Sequence, residues 1–280
     1  MVGIIPFCNF KTKGDFKLDR NFIFLTFFSK SLYRTIKGKN IKICVATHKK
    51  YKMPKDEIFM PIHVGAKGKE SIGYTKDDSG EHISELNPKC CELTGMYWMW
   101  KNLEADYYGL VHYRRYFSNG KKEKDPFKNI IGRKDLEQIL KKEKIVLPKK
   151  RRYYIESLYS HYSHTHYAEH LDVTRDILSE MYPDYVVQYD KVMKRTYAHM
   201  FNMFIMRKDV FKKYCEWLFP ILFELDKRID SSQYDAFQRR YLGRVSELLL
   251  DVWIDKNKLS YKEVPTVAME KLDWGRKITS

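Results

Sequence analysis

The sequence predicts an α/β fold built on a Rossmann-type nucleotide-binding domain, with a mixed central sheet and helices gathered toward its C-terminal part. Three observations predict it. Ile41-Lys42-Ile43-Cys44-Val45-Ala46-Thr47-His48 is a short apolar run that ends in polar residues, the usual opening of such a sheet. Tyr107 to Val111 is a second apolar strand, which breaks directly into His112-Tyr113-Arg114-Arg115-Tyr116-Phe117. Between the two, Leu93, Met96, Tyr97 and Trp100 fall at i, i+3, i+4 and i+7 and give a helix one apolar face.

Along the chain, residues 1–40 read as a basic extension with scattered aromatics and no clear period, residues 41–270 as the domain and 271–280 as a tail. A Gly-, Asp- and Ser-rich loop, Gly73 to Asn87, carries Asp77 and Asp78 and ends in Asn87-Pro88. That pair predicts a helix start, with Asn87 as the cap and Pro88 in the first turn. The lysine-rich stretch from Lys121 to Lys150 predicts a helix over Lys134 to Lys142 and a strand over Ile145 to Leu147. Tyr153 to His170, crowded with Tyr and His, reads as an aromatic loop, and Leu171 to Met181 as a helix. Phe201 to Met206 reads as a buried strand. It precedes a helix carrying Val210, Phe211, Tyr214, Trp217, Leu218, Ile221 and Leu225 on one side, which Pro220 should kink. A last helix turns Leu242, Val245, Leu248, Leu249 and Val252 inward, and Ser260 to Val264 reads as a final strand.

Lys plus Arg is 52 and Asp plus Glu is 36, so the formal net charge is +16, which favours anionic partners. The five cysteines are odd in number and lack C-x-x-C spacing, which argues against a disulfide framework or zinc ribbon and for a reducing compartment. The apolar run Phe22 to Phe28 is far shorter than the roughly 20 residues that span a bilayer. Phe22 to Lys37 reads either as a helix packed on the domain or as a basic-aromatic foot on a membrane surface.

Candidate chemistry concentrates where the second strand ends. Adjacent arginines there, Arg114 and Arg115, lie where an open α/β sheet holds its ligand, and guanidinium forks suit phosphate oxygens. The alternative is a surface pair bridging to carboxylates. Asn202, polar within Phe201-Asn202-Met203-Phe204, either faces a substrate hydroxyl or ties off a neighbouring loop. Arg240, Arg244, Glu247 and Asp251 recur along one side of the last helix, either as a solvated ion-pair face or as site residues. Among them Glu247 is the first candidate for a general base, with Asp78 and Glu92 behind it. His161, His164, His166 and His170 match no closed zinc spacing and read as an aromatic contact surface.

The string Asp77-Asp78-Ser79-Gly80-Glu81-His82-Ile83-Ser84, then Asn87, then Glu92 to Asn102, then Gly109 to Phe117, resembles an uncharacterised-domain family of capsular and exopolysaccharide gene clusters. The resemblance continues through Asn202 to Met206, Trp217-Leu218-Phe219 and Gly243 to Trp253, roughly Ile41 to Val264. Members look like GT-A glycosyltransferases, some implicated in galactofuranose transfer. The resemblance therefore implies transfer of galactofuranose or another hexose from a nucleotide-sugar donor, UDP-linked, to a lipid-linked oligosaccharide. The place of action it implies is the cytoplasm, at the inner face of the plasma membrane.

Carried over, the resemblance implies a donor pocket of Thr47, His48, Asp78, Glu92, His112, Arg114, Arg115 and Asn202. Catalytic roles fall to Glu247, Asp78 and His112, and the acceptor side to His161, Tyr162, His166 and Arg244. No Asp-x-Asp occurs in the chain, so no metal ligand is assigned and the arginines, helped by His112, are expected to supply charge to the diphosphate; room for a divalent metal is left open. Two other classes stay in view. One is a nucleic-acid-binding protein, disfavoured because the basic residues lie in separated segments without a recognised module; the other is a non-catalytic assembly protein of a polysaccharide complex.

Overall fold

The computed structural model describes residues 38–270, so the expectation of a membrane foot at Phe22 to Lys37 lies outside the described residues. The strands are β1 (Ile41–Thr47), β2 (Phe59–His63), β3 (Thr75–Lys76), β4 (Tyr107–His112), β5 (Arg115–Phe117), β6 (Ile145–Pro148), β7 (Arg151–Arg152), β8 (Tyr197–Ala198), β9 (Phe204–Arg207), β10 (Lys262–Val264) and β11 (Thr266–Ala268). The helices are α1 (Asn87–Cys90), α2 (Leu93–Asn102), α3 (Arg133–Leu140), α4 (Leu158–Thr165), α5 (Glu169–Met181), α6 (Val186–Met193), α7 (Lys208–Arg228) and α8 (Tyr241–Lys256).

The fold is α/β with a mixed central sheet, in the order β10-β6-β9-β4-β1-β2-β3. Strand β1 is parallel to both β2 and β4, while β9 runs antiparallel to β4 and β6. Past the start of β9, the short β5 folds back on β4 with Arg115 opposite His112, and β11 pairs with β5. A small ribbon, β7 with β8, stands apart.

Strand β1 is buried on both faces because its side chains alternate between two cores. Cys44 and Ala46 join the helical side, with Leu93, Met96, Phe211, Leu218, Leu242 and Leu249. Ile41, Ile43 and Val45 join a smaller core with Tyr116, Phe117, Ile131, Leu136 and Leu140. The chain adds β2 and β3 on one side of β1 and then returns to place β4 on the other. The carboxyl ends of β1 and β4 therefore flank the point where strand order reverses, where open α/β sheets hold ligands.

Four local expectations are corrected. Asn87 is the first residue of α1 and not its cap; its side-chain amide donates instead to Cys91 O (2.7 Å) and Thr94 Oγ1 (3.2 Å). The expected single helix is two, broken at Cys91, whose φ is 52°. Phe201 and Asn202 are not in a strand but in a positive-φ turn (81° and 50°), and β9 begins only at Phe204. Tyr153 to His170 is largely helical rather than a loop: Ser157 Oγ caps α4 by accepting from Ser160 N, and α5 starts at Glu169. Helix α7 runs on through Pro220 as one element.

Candidate functional site

At the carboxyl ends of β1 and β4 lies a cleft of about 350 Å³, lined by Thr47, His48, Glu92, His112, Tyr113, Arg114, Arg239 and Arg240 among others. The turn after β1 sets Thr47, whose hydroxyl donates to Lys49 O (2.7 Å), and His48, edge-on to Tyr113 at 5.4 Å. Burial, then the cations Lys49, Arg114, Lys69 and Arg240, hold His48 below its usual imidazole range, so it is neutral near pH 7. The tight turn between β4 and β5 separates the two arginines. Arg114, at its tip, is 3.5 Å from Glu270 and faces the cleft. Arg115, on β5, turns inward and lays its guanidinium over Phe201 at 3.7 Å.

Glu92 is the single carboxylate in the lining and is buried. Its Oε1 accepts from Asn202 Nδ2 at 2.7 Å, and His112 Nε2 is 3.6 Å away while donating to Phe201 O at 3.0 Å. The second amide proton of Asn202 goes to Gly243 O (2.8 Å), and its Oδ1 accepts from Ser246 Oγ (2.8 Å). All its donors are thus used within the protein. Asn202 ties the turn to α8 and to Glu92 and does not present a free amide to a substrate hydroxyl.

Behind this row lies Glu247 on α8. Its carboxylate accepts from the Phe201 backbone N–H and is within electrostatic reach of Glu92, Arg115 and Arg244. Burial and then the like charge of Glu92 push it up to about 7, against the pull of the Phe201 N–H and the two arginines. Arg244 contacts the ring nitrogens of His166, whose pKa falls to about 4 through burial and Arg244 itself. Tyr162 packs edge-on to His166 at 4.9 Å.

The structure thus brings together Thr47, His48, Glu92, His112 and Arg114 in one cleft, and Arg115, Asn202, Glu247, Arg244, His166 and Tyr162 next to it. One predicted residue does not join them. Asp78 is absent from the cleft lining and pairs with Lys76 at 2.8 Å, which pulls its pKa down; the adjacent Asp77 is a buried brace that accepts from Gly65 N, Ala66 N and Ser84 Oγ. His161 pairs with Glu156 (2.9 Å), tilts over Tyr153 and lies within electrostatic reach of His166, so it borders the acceptor-side group. The sequence reading missed Arg239 and, as a cleft residue, Arg240, which approaches Cys91 Sγ at 3.1 Å. The available signal was Arg239-Arg240-Tyr241, which repeats the Arg-Arg-Tyr of 114–116.

A lone carboxylate already hydrogen-bonded by Asn202, among several cations, does not suit a divalent cation. No group of three or more His, Cys, Asp or Glu side chains placed to hold a metal occurs among the described residues. No helix among them is long and apolar enough to cross a membrane.

The fold is that of a solved glycosyltransferase. The apo structure of WbbM, described as a bifunctional glycosyltransferase, superposes with a TM-score of 0.76 at 30% sequence identity over 83% of this chain. The match takes in 46% of the WbbM chain, so this chain corresponds to about half of that protein. Among proteins with curated descriptions, none matches. The model of the family described as a domain of unknown function, DUF4422, matches residues 42–258, and the chain belongs to that family.

Proposed function

We propose that this chain is a glycosyltransferase that takes a hexose, galactofuranose among the candidates, from a UDP-linked donor and passes it to a lipid-linked oligosaccharide at the inner face of the plasma membrane. The observation that carries the reading is the cleft at the strand-order reversal, cationic at its rim and holding a partly neutral carboxylate behind it, in a fold shared with a glycosyltransferase. Arg114, Arg239 and Arg240 would bind the diphosphate and offset the charge that develops as it leaves, work that needs no metal ligand. Neutral His48 adds a ring N–H to the phosphates.

Glu247 has the properties of the base. A carboxylate poised near 7 is ionised enough to accept the acceptor hydroxyl's proton and basic enough to hold it. His112 and Asn202 fix Glu92, and His112 also holds the Phe201 turn whose N–H meets Glu247; neither touches a reacting atom in this scheme. Tyr162, His166 and Arg244 would form the acceptor side.

The test is a thermal-shift and donor-hydrolysis screen of the purified chain against nucleotide sugars, with and without chelator. A UDP-sugar should raise the melting temperature, chelator should leave the shift unchanged, and Arg240→Ala should remove most of it. No response to any nucleotide sugar would overturn the reading.

A further inference from the structure

Strand β6 runs parallel to β4, because each is antiparallel to β9, so the segment that leaves β6 emerges on the same edge of the sheet as the cleft. That segment is Lys149-Lys150-Arg151-Arg152-Tyr153-Tyr154-Ile155. Its stem is held firmly. Arg151 and Arg152 pair with β8, and Tyr153 N donates to Thr196 O at 2.7 Å. Tyr153 tilts against His161 at 4.0 Å and lies within electrostatic reach of Glu247, so the stem is rooted beside the candidate site.

The tip is built differently. Ile155 N donates to Tyr153 O at 2.7 Å across Tyr154, whose φ is +63°, making a γ-turn of the rare, strained kind. A bulky non-glycine residue at positive φ costs of order 1–3 kcal/mol and persists where its surroundings impose it. The consequence here is exposure: Tyr154 is 83% and Ile155 94% accessible, the two most exposed large apolar side chains among the described residues. Arg151 and Arg152 flank them, both exposed and neither paired with a carboxylate among the described residues; their guanidiniums lie over Tyr153 and Tyr197, each at 5.2 Å. Exposed Lys149, two residues before Arg151, extends the basic collar.

We propose that the Arg151–Ile155 tip is a membrane anchor, in which Tyr154 and Ile155 enter the headgroup boundary of an anionic bilayer and Arg151, Arg152 and Lys149 engage lipid phosphates. Apolar tips within a basic collar have the chemistry of an interfacial anchor: the apolar side chains leave water while the guanidiniums stay at the depth of the lipid phosphates. The placement turns the sheet edge that holds the cleft toward the bilayer. It gives the proposed lipid-linked acceptor a short path to Glu247, and in that respect it rests on the transferase reading.

Flotation of the full chain with phosphatidylcholine vesicles, with and without an equal part of phosphatidylglycerol, tests it. The parent should float with the anionic vesicles only. Tyr154→Gly with Ile155→Ser should weaken binding about tenfold or more, as should Arg151→Glu with Arg152→Glu. Glycine accepts positive φ freely, so the first variant should melt no lower than the parent, which separates lost anchoring from lost folding. Nucleotide binding in solution should be unchanged in both variants, so its absence in the parent would count against the transferase reading alone. A parent that ignores anionic vesicles, or variants that float as the parent does, would overturn the anchor.

Discussion

Glu247 shows how much of the candidate site depends on one side chain's surroundings. It shares a helix face with Arg240, Arg244 and Asp251, and spacing alone is equally consistent with a solvated ion-pair ladder. The structure separates these residues: Asp251 is buried and binds His199 N at 2.9 Å, while Glu247 faces the Phe201 turn. Replacing Glu247 by Gln should lower turnover by about a hundredfold to ten-thousandfold, with donor binding little changed. Because the ionised form is the proposed base, the parent's turnover should climb with pH to a plateau above about 7. The same residue makes a stability prediction of fixed sign. A carboxyl whose pKa is raised by folding binds a proton that the unfolded chain releases, so its contribution to stability falls as pH rises from the ordinary carboxylate range to about 7. Glu247→Gln should therefore melt higher than the parent above about pH 7, and the gain should vanish at acid pH. A variant whose melting curve tracked the parent's at every pH would show that the carboxyl is not held out of its ordinary range.

Among the elements, legibility followed burial. Strands β1 and β4 were visible in the sequence because each is covered on both faces, which leaves a continuous apolar run. Strand β5 was hidden because Arg115 opens it and its partner β11 is more than 140 residues away, from Phe117 to Thr266. Strand β2 carries Pro61 and ends in His63, so it gives no alternation to read. The Phe201-Asn202 turn mimicked a strand because it sits in an apolar run; Asn202, a residue type that tolerates positive φ, was the one local sign of it. Much of the cleft lining, Thr47, His48, His112 and Arg114, was legible because it follows β1 and β4 directly. Arg239 and Arg240 enter from just before α8; their repeat of Arg-Arg-Tyr was there to read, but its tertiary approach to the cleft was not.

Gly109 shows what holds the central elements at the right spacing. A Cβ there would lie 2.9 Å from Ile43 Cγ1 on β1 and 3.2 Å from Ile205 Cγ1 on β9, with branched side chains on both sides and little room to yield. Gly109→Ala should cost about 1–3 kcal/mol, read as a lower urea midpoint at unchanged slope. An unchanged midpoint would mean that the sheet opens there more easily than its packing implies.

At the scale of the whole molecule, the sign of the net charge agrees with that of the cleft. The chain carries +16, and Arg114, Arg239 and Arg240 line the cleft, so the overall charge and the local contacts both favour an anionic ligand, which the proposed reading makes a diphosphate. The two differ in their response to salt. Raising ionic strength from about 0.01 M to about 1 M shortens the Debye length from about 30 Å to about 3 Å, which removes the distant lysines from the balance but leaves direct guanidinium contacts partly intact. UDP affinity, measured by calorimetry over that range, should weaken by about tenfold or more. In Arg114→Gln and Arg240→Gln affinity should start lower and fall less steeply, because a cleft that has lost a fixed cation has less electrostatic attraction to screen. A flat salt profile in the parent would mean that shape and apolar contact hold the nucleotide, and the arginines would then have to be assigned to the structure of the cleft rather than to its ligand.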